Sequence, residues 1–137
     1  MAIELPSWHL RVTIPSAATD GAFTVIHGHM APLLEGPPAH IHDGHDEAFY
    51  VLSGRMRFRL GDREHDVETG GMAYAPRGLA HGFANAADEP ALYLAIVSPS
   101  GYEDYFREVE AHLQKTGTMP DLEQTRCLMD AYATRLV

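Results

Sequence analysis

His40-Ile41-His42-Asp43-Gly44-His45-Asp46-Glu47 is the stretch of this 137-residue chain from which fold and chemistry are both read. Side chains alternate faces along an extended chain, so His40 and His42 point to one side and Ile41 to the other. Two imidazoles on one face and a carboxylate at Glu47 make up three quarters of a transition-metal ligand set. The fourth member stands 34 positions on, in Pro76-Arg77-Gly78-Leu79-Ala80-His81. Imidazole nitrogen with a carboxylate oxygen suits iron, nickel, copper, manganese, cobalt or zinc, rather than calcium or magnesium. Four protein ligands on a metal that accepts five or six leave positions for water or a small molecule.

Histidine is concentrated around this stretch. Of the nine in the chain, His27, His29, His40, His42 and His45 fall within 19 positions. The remaining composition is that of one globular domain spanning residues 1–137, with 45% apolar and 21% charged residues. Ten basic against nineteen acidic residues give a net charge of −9, which argues against a nucleic-acid partner. An anionic small molecule stays open, because a bound dication would dominate the local field. Cys127 is the sole cysteine, so an intramolecular disulfide and a cysteine-rich zinc site are excluded. A reducing cytoplasm fits best. Met1–Trp8 lacks the basic and long apolar runs of a secretory leader, and no segment approaches the ~18 apolar residues of a membrane helix.

Up to about residue 98 the chain reads as short strands between Gly, Pro and Asp turns. Strands are expected at Phe23–Met30, Ala39–Ile41, Ala48–Leu52, Arg55–Leu60, Gly71–Ala75, His81–Asn85 and Ala91–Val97. Arg55, Arg57 and Arg59 alternate with Met56, Phe58 and Leu60, placing a solvated basic stripe opposite an apolar one. Many short strands at this spacing predict an antiparallel sandwich or barrel over residues 8–98. The pattern then turns helical. Tyr102, Tyr105, Phe106, Val109 and Leu113 form one stripe over residues 100–115, with Ser98 or Ser100 as the expected cap. Pro120-Asp121 opens a second helix over residues 120–134, with Leu122, Leu128, Met129, Tyr132 and Leu136 on one face. Such a hairpin would pack on the β body or cover the mouth of a barrel.

These residues resemble the two motifs of the cupins. The first cupin motif ends in His-X-His, three or four residues, Glu, six residues and Gly, matched by His40, His42, Glu47 and Gly54. The second is filled by Gly70, Pro76, Gly78, His81 and Asn85. One departure is Leu34, which stands where the first motif usually has glycine; Gly36-Pro37-Pro38 would make that turn two residues later. The resemblance implies an all-β, jelly-roll double-stranded β-helix with a metal inside one mouth, and it makes a homodimer plausible. Gly36–His42, Asp46–Gly54 and Ser98–Phe106 are further similar to bacterial quercetinase-like single-domain cupins, a group that includes flavonol dioxygenases. Their closing helix is similar to the segment from Pro120 to Tyr132.

The expectation is therefore a mononuclear site of His40, His42, Glu47 and His81 holding one divalent transition metal per chain. Glu47 is either the fourth ligand or a general base beside the metal, as the resemblance implies for both. His45 is expected to be a solvated loop residue, and His9, His65 and His112 surface residues. His27 and His29 face either inward or outward. Phe49, Met56, Phe58, Tyr74, Phe83 and Tyr93 are candidates for core and cavity wall. Three functions follow: a dioxygenase acting on a small aromatic or enolisable substrate with dioxygen, a metal-dependent cyclase, isomerase or lyase without oxygen, or a non-catalytic binding protein.

Overall fold

The computed structural model describes residues 1–137 and consists of eleven strands and two helices. In chain order these are β1 (Ala2–Leu5), β2 (Trp8–Ile14), β3 (Thr24–Met30), β4 (His40–His42), β5 (Asp46–Ser53), β6 (Arg55–Leu60), β7 (Arg63–Glu68), β8 (Met72–Ala75), β9 (His81–Ala84), β10 (Ala91–Ser98), α1 (Glu103–Thr116), α2 (Leu122–Asp130) and β11 (Thr134–Leu136). One sheet has the order β1-β2-β3-β10-β5-β8 and the other β11-β4-β9-β6-β7, each built from antiparallel pairs. The two sheets enclose one core: the antiparallel barrel that the alternating sequence predicts, in the double-stranded β-helix form that the resemblance of its motifs implies.

The alternation decides which residues meet between the sheets. Thr24, Ile26, Gly28 and Met30 of β3, and Ala91, Tyr93, Ala95 and Val97 of β10, all face inward. Met56 and Phe58 do so from β6, while Arg57 and Arg59 face solvent. Phe49, Phe58 and Phe83 pack at ring separations of 5.1 to 6.1 Å around the centre. Each such burial contributes about 1.5–3 kcal/mol. Gly54, between β5 and β6, is left-handed at φ +78°, and a Cβ there would lie 2.4 Å from the Pro90 carbonyl oxygen. Only glycine satisfies both constraints.

The sequence-based strand list starts at Phe23 and omits β7, and both points need correction. Ile3, Leu5, Leu10 and Val12 are buried from β1 and β2, so the alternation extends to the N-terminus. β7 lacks any apolar alternation because its side chains stay exposed or half-buried. It is held as the partner of β6 by cross-strand ion pairs, Arg57–Asp66 at 2.9 Å and Arg59–Glu64 at 3.0 Å. Those pairs also account for Arg57 and Arg59 of the arginine stripe.

The C-terminal segment differs more. α1 begins at Glu103, and neither Ser98 nor Ser100 caps it. Glu103, buried, accepts hydrogen bonds from the amides of Gly101 and Ser16 and joins the helix start to the loop before β3. α2 starts where Pro120-Asp121 predicts, and Asp121 caps it, bonding reciprocally with Gln124. The helix ends at Asp130, however, instead of running to 134. Ala133 takes a left-handed φ of +51°, and Thr134–Leu136 return as a strand beside β4. Leu122 is exposed, and Leu136 packs from that strand and not from a helix.

Candidate metal centre

β4 carries His40 and His42, and β9 pairs with it at His40↔His81, so three imidazoles share the five-stranded sheet. The turn that delivers His81 is tied to the first motif twice. The Gly78 amide donates to the His42 carbonyl at 2.8 Å, and the Arg77 amide and guanidinium grip the Asp46 carboxylate at 2.9 to 3.1 Å. Glu47 comes from β5 in the opposite sheet. The four side chains therefore converge across the barrel interior, each under 7% exposed.

Backbone and hydroxyl oxygens fix the imidazole tautomers. His40 Nδ1 donates to the Pro38 carbonyl at 2.8 Å and His81 Nδ1 to that of Leu79 at 3.2 Å. His42 Nδ1 lies 2.7 Å from Thr134 Oγ1, whose own proton goes to the Tyr132 carbonyl, so the hydroxyl accepts from the ring. All three rings thereby keep Nε2 free as a lone-pair donor. His42 Nε2 is 3.0 Å from Glu47 Oε1, and His81 Nε2 is 3.4 Å from Oε2. Both nitrogens are buried without an aligned hydrogen bond. Buried nitrogens left unsatisfied beside a carboxylate are anomalous for a packed core and ordinary for a metal site. One ligand atom from each of His40, His42 and His81 falls within 4.8 Å of the others, so the residues fit a single transition-metal ion.

Electrostatics point the same way. Burial, with the neighbouring His81 and His42, lowers the His40 pKa from 6.5 to about 4. Burial also lowers that of His42, against the pull of Glu47. His81 is raised, because contact with Glu47 outweighs its own desolvation. For Glu47 itself, burial would favour the protonated acid, but His42, His45 and His81 hold it well below the usual carboxylate range. Burial thus keeps His40 and His42 toward the neutral form that can ligate, beside an ionised Glu47, while contact with that carboxylate holds His81 toward its protonated form.

A cavity of about 360 Å³ opens on His40 and Glu47. Phe49, Phe83 and Tyr93 line it from the sheets, Trp8 from β2, and Tyr102, Tyr105 and Met129 from the C-terminal segment, which forms its roof. No lysine or arginine reaches it. Trp8 Nε1 donates to Tyr93 Oη at 2.9 Å, one of the few polar contacts in that wall.

Several sequence expectations change here. His45 is buried, not solvated: its Nε2 donates to Glu47 Oε1 at 3.1 Å. Tyr74 is 58% exposed on the outer face of β8 and takes no part in the wall. His27 and His29 alternate with the buried positions of β3 and so face outward, away from the cluster. His9 and His65 are exposed and His112 half-buried. The sequence reading missed Thr134 and Trp8. No motif marks either, since their roles come from strand pairing across the whole chain.

A jelly-roll barrel with a His₃Glu cluster between its sheets defines the class of protein. Residues 23–97, more than half of the chain, match the family model described as Cupin domain, and the chain belongs to that family. A protein of unassigned function from Aquifex aeolicus is 36% identical over 61 residues, covering 44% of this chain and 50% of that one. The chain thus matches about half the length of this relative. The solved TT1209 protein of Thermus thermophilus is 30% identical with a TM-score of 0.54, over 58% of this chain and 74% of that one. The polyketide cyclase RemF from Streptomyces resistomycificus is 23% identical with a TM-score of 0.63, over 73% and 69%, a likeness of fold. Neither helix is long and apolar enough to cross a membrane.

Proposed function

We propose that this protein is a metal-dependent dioxygenase acting on a small, neutral, aromatic or enolisable compound, with His40, His42, His81 and Glu47 holding one divalent transition metal. The observation that carries the reading is the aromatic cavity that opens on His40 and Glu47 and contains no basic side chain. Apart from the metal itself, the wall offers an anionic substrate no countercharge, which favours a neutral compound. When bound, the metal supplies a Lewis-acidic position that lowers the pKa of a substrate hydroxyl and a redox partner for dioxygen. The chain's own residues do the rest. Phe49, Phe83 and Tyr105 present rings for a flat substrate, and Tyr102 and Met129 close the roof and exclude water. Glu47 is ionised and lies at the cavity wall, placed to accept the hydroxyl proton.

A second reading, a non-oxidative cyclase or isomerase, is favoured by the fold shared with the polyketide cyclase RemF. Metal analysis of the purified protein, with oxygen uptake measured against a panel of flavonols and simpler phenols, separates the two. Oxygen consumed in proportion to substrate supports the dioxygenase. Turnover that proceeds unchanged under anaerobic conditions overturns it in favour of the cyclase, and binding without turnover overturns both.

The reading includes a homodimer and a reducing, cytoplasmic setting. The outer face of the six-stranded sheet presents Leu92, Leu94, Ile96, Tyr50, Met72 and Tyr74, with Ile96, Met72 and Tyr74 exposed. This face lacks carboxylates and lysines at its centre, so two copies of a chain carrying −9 can meet there without like-charge repulsion. Four strands of about seven residues give a face on the order of 500 Å², the scale of one side of a modest interface. Cys127 is a free, exposed thiol, as a reducing compartment permits.

A further inference from the structure

We propose that His45 is a positioning residue for Glu47: it holds Oε1 and so fixes the carboxylate beside His40, His42 and His81, the residues that would hold the ion. The inference rests on the metal reading above and goes beyond its ligand set, in which His45 has no place. A carboxylate only accepts, so the 3.1 Å contact is an Nε2–H donation from His45 to Oε1. The other oxygen, Oε2, lies 3.4 Å from His81 Nε2, a buried nitrogen with no hydrogen-bond partner. Oε1 also lies 3.0 Å from His42 Nε2, likewise buried without a partner, so the carboxylate that His45 holds stands between two unsatisfied ligand atoms.

The His45 ring cannot easily turn away from this task. It lies over His42 with centroids 4.0 Å apart and a 33° interplanar angle, and Tyr102 borders it at 5.0 Å. It is only 6% exposed. Without the bond, the Glu47 carboxylate could rotate and offer the metal either oxygen or both. With it, the carboxylate keeps one orientation toward His42 and His81.

Cobalt(II) titration of metal-free protein tests this, with chelator competition for affinity and visible absorption for coordination. His45→Ala is expected to weaken cobalt binding about 10- to 100-fold and to change the absorption bands. His45→Gln, whose amide keeps a donor, is expected to recover most of the affinity and the original spectrum. In a Glu47→Gln background the His45→Ala change should add less than about twofold, since His45 acts only through the carboxylate. If His45→Ala does not fold, His45→Phe keeps a ring against His42 and Tyr102 and carries the same comparison. Unchanged affinity and spectrum in the variant that folds overturn the proposal, and so does an equal loss in the Glu47→Gln background, which would make His45 a direct ligand. Failure of the unaltered protein to bind cobalt overturns the metal reading itself, an outcome distinct from any result on His45.

Discussion

Single residues set the protonation logic of the centre. In the metal-free protein His40 titrates near 4, against 6.5 for an unconstrained imidazole, and His42 is lowered too. The unfolded chain therefore takes up protons first as pH falls, and stability is lost from pH 6.5 down to about 4. For His40 alone the loss reaches up to about 3 kcal/mol. Glu47, also lowered, extends the loss below the ordinary carboxylate range. His81 is raised, so its contribution is fully present below 6.5 and fades only at higher pH. Thermal melts of chelator-treated protein should show the midpoint falling across pH 6.5 to 4, and His40→Gln should flatten that slope. Replacing His40 and His42 together by alanine should abolish metal occupancy in elemental analysis, with the far-ultraviolet circular dichroism retained. Gly28 is a residue-scale case of packing: a Cβ there would come within 2.1 to 2.5 Å of the end of the Tyr93 ring. Gly28→Ala should cost about 1–3 kcal/mol in denaturant unfolding. His40 and His42 were legible as a ligand-type pair because i, i+2 spacing on a strand maps directly onto one face, and Glu47 and His81 through their motif spacing. His45 was not legible, since its inward turn follows from Glu47 needing a donor and from the ring surfaces of His42 and Tyr102.

At the scale of elements, the least expected feature is β11. It adds to the edge of β4 and brings Thr134 to His42, so the end of the chain holds the tautomer of a ligand near its start. Thr134→Val keeps the shape but removes the acceptor for His42 Nδ1–H. Metal affinity is expected to fall about 10-fold or more, measurable by chelator competition, with the fold intact by near-ultraviolet circular dichroism. The helical periodicity of α1 was readable because Tyr105 and Val109 repeat at helical spacing into the core. β11 was not, as three residues carry too little pattern to separate strand from helix. β7 escaped for the opposite reason: its pairing rests on charges, and charge runs look alike in strands, loops and helices.

For the whole molecule, the two sheets and the C-terminal roof together make the cavity, and no one element contains it. The outer face of the six-stranded sheet carries the quaternary expectation. Light scattering should give twice the 15.1 kDa chain mass, and Ile96→Glu, at the centre of that face, should return it to one chain without loss of fold.

The amino-acid sequence by itself determined the barrel class and the four ligand-type residues. Both depend on local rules: alternation along strands, turn residues between them, and donor chemistry at short spacing. Only the tertiary structure decided that Glu47 crosses from the opposite sheet, that Thr134 bonds His42 and His45 bonds Glu47, and that Trp8, Tyr102 and Met129 wall a pocket without a basic side chain. The bond between His42 and Thr134 alone joins residues 92 positions apart. Such relations arise where separate strands and helices must satisfy one another's buried polar groups, a condition that no local pattern records.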